Sequence, residues 1–115
     1  MAYDNFTVTS PLDGAIYHCR FHNLMTGIAP RHSDSVDVRF LVNGRIFAVA
    51  LAHPAFAIFQ QRTGRKLTDT DSIQMAGLFL KGLIERDIRL EETYLPVSVD
   101  QTLVLAQQIR SVAFA

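Results

Sequence analysis

The chain has 115 residues, and its eleven basic residues balance eleven acidic ones, giving a pI near 6.9. That length is the commonest size of a single domain, and 49% hydrophobic residues, eight Phe among them, exclude wholesale disorder. A neutral chain offers no broad field to draw phosphate backbones or anionic membranes, which argues against nucleic-acid and membrane partners. With one cysteine, Cys19, neither an intrachain disulfide nor a four-cysteine zinc site can form. Residues 1–6 lack the basic and apolar regions of a signal peptide, so the cytoplasm is the expected location. The longest mostly apolar run, residues 46–59, is interrupted by His53 and Pro54 and falls short of the ~20 residues of a membrane span.

Residues 3–9 and 15–22 read as strands joined by Ser10-Pro11-Leu12-Asp13-Gly14, where Pro presets φ for a turn and Gly supplies a positive φ. Residues 23–35, with Gly27, Pro30 and a polar stretch after it, read as a long loop. The strongest signal follows. Asn43-Gly44 stands between residues 36–42 and 45–51, the signature of a two-residue hairpin. Such a loop fixes register, so Phe40 faces Phe47, Val38 faces Val49 and Val36 faces Leu51, an apolar set belonging to a core. The opposite face then pairs Asp37 with Ala50, Arg39 with Ala48 and Leu41 with Ile46. Alanines there imply close packing by a helix or another subunit.

His53-Pro54 opens a short helix, since Pro suits the first turn, and Gly64 suits its left-handed stop. A second helix is predicted over residues 71–87, with a capping box at Thr68-x-x-Asp71 and apolar residues around most of its circumference. Gly77 and Gly82 each cost about 1 kcal/mol relative to Ala in a helix, and close backbone packing would account for both. Residues 88–95 run to Pro96 as an edge strand. Ser98-x-x-Gln101 caps a terminal helix reaching about residue 113. The order is β-β-β-β-α-α-β-α: one α+β domain of antiparallel hairpins with helices on one face.

The cluster His18-Cys19-Arg20-Phe21-His22 is the chief chemical candidate. In a helix its two histidines would have metal-binding spacing. In a strand four residues span about 13 Å, too far for one zinc ion, and Arg20 between them would repel a cation, so no metal or other cofactor is assigned. The row His18, Arg20, His22 suits an anion instead, with His32 joining from the loop and His53 from the strand–helix junction. The plainer reading is a solvated sheet face with a buried cysteine behind it. A Cys19–His18 nucleophile pair is disfavoured because strand neighbours point to opposite faces. Arg62, Arg65 and Lys66 read as complements to a helix dipole.

No catalytic motif appears. The surplus of apolar surface favours a non-catalytic interaction module that self-associates, through the helix at 71–87 or the hairpin at 36–51. The rival reading is a small-ligand or anion-binding protein, an enzyme included, using His18, Arg20, His22, His32 and His53.

Overall fold

The computed structural model describes residues 3–11, 13–27, 35–86 and 93–113, with side chains described through Ile109. Its elements are β1 (Asn5–Thr9), β2 (Ile16–Gly27), β3 (Ser35–Val42), β4 (Arg45–Ala52), α1 (His53–Thr63), α2 (Asp69–Glu85), β5 (Tyr94–Pro96) and α3 (Val99–Ala113). The five strands form one sheet in the order β1-β2-β3-β4-β5. Neighbours are antiparallel except β5, which runs parallel to β4 after the crossover through α1 and α2. This is the α+β arrangement expected from the sequence.

Each strand connection has a local cause. Ser10 and Ala15 close the first hairpin, Ser10 N–H donating to the Ala15 carbonyl at 2.8 Å while Gly14 adopts φ +70°. The second hairpin turns on Asn43 (φ +49°) and Gly44 (φ +85°), the conformation that a two-residue type I′ turn requires. Its register pairs Phe40 with Phe47 and Val38 with Val49, as the loop length dictates. Asn43 does more than turn. Its N–H donates to the His18 carbonyl, its Oδ1 accepts from His18 N–H at 2.9 Å, and its Nδ2 donates to the Ile16 carbonyl. The turn is thereby stitched to β2.

Strand β2 departs from the sequence reading. It continues through residues 23–27, where a loop is expected, by accommodating a bulge. Phe21 pairs with Phe40 and Asn23 with Arg39, leaving His22 as the extra residue. A bulge resets the alternation, so core-facing positions shift from odd to even along the strand. Of the edge strand expected to run from residue 88 to Pro96, Tyr94–Pro96 forms β5, and residues 87–92 lie outside the described ones.

The helices obey their caps. Thr68 and Asp71 complete a reciprocal capping box on α2, and Ser98 and Gln101 do so on α3. Gly64 (φ +72°) ends α1 and donates to the Gln60 carbonyl. Buried Thr102 fastens α3 to the sheet, its Oγ1 accepting from Ala52 N–H at 3.2 Å.

Phe40 is the centre of the core. Fully buried, it meets Phe6 and Phe21 edge-on, each at 6.2 Å between centroids. Val38, Val49, Leu51 and Cys19 share its face, and α2 covers them with Met75, Ala76, Leu80 and Ile84. α2 touches β1, β2, β3, β4 and α3, so its broad apolar circumference is absorbed within the chain. The smallest extent of the molecule is 21 Å, the depth of two layers packed about 10 Å apart. Among the described residues no helix is long and apolar enough to cross a membrane.

The two helical glycines separate. A Cβ on Gly77 would stand 2.6 Å from the Tyr3 Cβ and closer still to the Tyr3 carbonyl oxygen, whereas one on Gly82 would meet only an Arg86 guanidinium nitrogen at 3.8 Å. Tyr3 is held in that position by its N–H, which donates to Gln74 Oε1. Close packing therefore explains Gly77 and not Gly82. Denaturant unfolding should show G77A destabilised by about 1–3 kcal/mol through overpacking, and G82A stabilised by up to about 1 kcal/mol through helix propensity.

Candidate functional site

With the helices stacked on one side, the other face of the sheet carries the residues that the core does not use. Following the registers, Asn5, Arg20, Leu41 and Ile46 form one cross-strand row. The next row is Asn23, Arg39, Ala48 and Tyr94, and the next Met25, Asp37, Ala50 and Pro96. Thr7 with His18, and Thr9 with Ile16, complete the β1 side. Five large apolar residues are exposed among the described ones: Ile16, Met25, Ile46, Tyr94 and Val104. The first four all lie on this face, and only Val104 belongs to the helical layer. A solvated sheet face normally alternates toward polar residues. This one does not.

Its charges are sparse and ordered. Asp37 and Arg39 stand two residues apart on the central strand β3, and Asp37 Oδ1 accepts from Ser35 Oγ at 2.7 Å. Neither Asp37 nor Arg39 has an ionic partner among the described residues. Beside them Ala48 and Ala50 leave a low strip along β4.

At the β1 side the face dips into a concavity of about 350 Å³ lined by Asn5, His18, Arg20, Leu41, Asn43 and Gly44. Two of the five sequence-derived site residues, His18 and Arg20, therefore come together. His22 is the exposed bulge residue and does not line the concavity. His53 begins α1 at the far end of β4, nine residues beyond the Asn43-Gly44 turn, with its ring stacked on Phe56 at 5.9 Å. His32 lies outside the described residues. Sequence reasoning did not find Asn5 or Asn43 as lining groups. The Asn43-Gly44 signal marked a turn, and nothing local announced that the turn would dock on β2.

Cys19 faces the core, as alternation within a strand requires, away from His18. Burial pushes its thiol up from 9.0 to about 11, because the thiolate would lose its hydration there. It is thus a packing residue rather than a nucleophile. No three His, Cys, Asp or Glu side chains gather into a metal-holding group among the described residues. A second hollow, about 420 Å³, lies between α2 and α3 against Leu78, Phe79, Gly82 and Val104.

Comparison with protein-family models, with curated proteins and with solved structures finds no match.

Cys19 supplies a direct check on this orientation. In the native protein a thiol reagent at pH 8 should react with it far more slowly than after unfolding in denaturant. The raised thiol pKa also carries a sign for stability. The folded state holds the proton more tightly than the unfolded chain, so this contribution is complete below pH 9 and declines as pH rises from 9 toward 11. Urea midpoints should fall over that window, and replacing Cys19 with Ala should remove that part of the decline.

Proposed function

We propose that the protein is a non-catalytic interaction module that self-associates, two copies meeting through the uncovered faces of their sheets. The observation that carries this reading is the gathering of Ile16, Met25, Ile46 and Tyr94 on one sheet face, opposite the helices. The hairpin route is favoured over the helical one because α2 spends its apolar surface on four strands and α3.

The occupant is a second copy because the face is self-complementary. A twofold axis lying in the interface, perpendicular to the strands at the level of Val38, sets Asp37 of one copy over Arg39 of the other, and does so twice. The same operation lays Ala48 over Ala50, and two rows of small side chains let the sheets approach closely. Each contact is repeated by symmetry, as an isologous interface demands. Charges that lack ionic partners among the described residues of one copy find them in the pair.

The size of the face sets the affinity class. Five strands about 4.8 Å apart and a strand length of about 20 Å give roughly 400 Å² in projection per copy. Counting both copies, roughly 800 Å² falls below the ~1,200 Å² at which stable interfaces begin, which suits a weak, reversible dimer rather than an obligate one.

Light scattering at tens of micromolar should return twice the chain mass, falling toward the monomer on dilution. A monomer throughout that range would refute the reading. Ile46→Asp, at an exposed position, should abolish the dimer without unfolding the domain. Asp37→Arg alone should weaken dimerisation about tenfold or more by setting like charges against each other, and the double exchange Asp37→Arg/Arg39→Asp should restore it.

A further inference from the structure

The concavity on the β1 side has a chemistry of its own, separate from the apolar rows. Strand β2 presents Arg20 and His18 on the same face two residues apart, about 7 Å along the strand. Asn5 pairs directly opposite Arg20, which places its amide within about 5.5 Å at the Cβ level. On the other side Arg20 is flanked by Leu41, and the Asn43-Gly44 turn closes the end. The turn's position is fixed by the three hydrogen bonds from Asn43 to β2. The wall is therefore preformed.

No carboxylate lines the concavity, and Arg20 has no ionic partner among the described residues. Arg45, the nearest other cation along the turn, is committed elsewhere, its guanidinium lying 5.2 Å from the centroid of the Phe47 ring. What remains is a guanidinium fork, an imidazole and an amide around one space. Arg recognises planar and tetrahedral oxyanions through paired N–H donors. At about 350 Å³ the space lies near the lower bound for small-molecule pockets and exceeds what a bare oxyanion fills. Leu41 and the side-chain-free Gly44 offer contact to a carbon body rather than a second charge.

We propose that this concavity binds a small soluble phosphomonoester, its phosphate held by Arg20 with His18 and Asn5 and its carbon body against Leu41 and Gly44. The site stands on β1 and β2 of the same sheet face, so a second copy paired through that face competes with the ligand, and the titration is read at concentrations where dilution has released the monomer.

The test is an amide-resolved NMR titration of the intact protein with glycerol 3-phosphate, with inorganic phosphate and sodium chloride at matched ionic strength in parallel. Saturable shifts centred on Asn5, His18, Arg20, Leu41 and Gly44, tighter for glycerol 3-phosphate than for inorganic phosphate and absent with chloride, are expected. Arg20→Gln should weaken binding at least tenfold while leaving the remaining spectrum in place. Should that variant fail to fold, Asn5→Ala serves, with a loss of at least threefold. Shifts that never saturate, that centre on Arg62, Arg65 and Lys66, or that survive Arg20→Gln would overturn the proposal. So would Arg20-dependent binding to vesicles of phosphatidic acid in phosphatidylcholine without saturable binding of glycerol 3-phosphate, since the ligand would then be a lipid surface.

Discussion

A two-residue reversal at Asn43-Gly44 governs everything else in this molecule. Both residues hold positive φ, and such a short loop leaves one register for the strands it joins. With side chains alternating at a period of two, that register sends Phe40, Phe47, Val38, Val49 and Leu51 to one face as a set. A slip by one residue would exchange them for Arg39, Ala48 and Asp37, stranding charge under the helices. The turn is held on its other flank by Asn43, which bonds β2 at Ile16 and His18. One residue thus sets the conformation of one hairpin and its attachment to the next.

The consequence is a sheet with unequal faces. Every helix contributes to the same side: α2 lies across four strands, and α3 packs on α2 and β4. Among the described residues the helices all lie on that side, and on the reverse face only Ala50 is buried. The sequence nonetheless supplies Ile16, Leu41, Ile46, Met25 and Tyr94 there, together with two alanines where a solvated strand would carry longer polar groups. The proposed self-association takes its physical basis from that imbalance, since burying the face would relieve it. The concavity beside β1 differs in kind. It is polar, it carries a cation without an ionic partner among the described residues, and it stands where the apolar rows give way to Asn5 and His18.

How far the sequence announced this depends on how local each cause is. The hairpin register, the Thr68 and Ser98 capping boxes and the Gly64 stop were readable because each is decided within a few residues. The bulge at His22 was not. It needs no glycine, and its trace is only a change in the spacing of core residues, from Tyr17, Cys19 and Phe21 to Leu24. Gly27 and Pro30 are loop signals that mask it. The parallel sense of β5 follows from the crossover path, which no residue in Tyr94–Pro96 encodes by itself. The expectation of close packing at helical glycines held for Gly77, whose neighbour Tyr3 lies 74 residues earlier in the chain, and failed for Gly82. For the candidate site, the alternation of β2 placed His18 beside Arg20 and turned Cys19 inward. Asn5 entered only through the register of a different hairpin, and His53 was lost to the opposite end of β4.

The claim at the centre of this account is that a second copy covers the open face of the sheet. An isotope-filtered NMR experiment on a mixture of labelled and unlabelled protein observes contacts between copies alone. The account predicts intermolecular contacts joining side chains of Ile46, Ala48, Met25 and Tyr94. Contacts confined to Leu78 and Val104 on the helical layer, or none at concentrations that favour association, would contradict it.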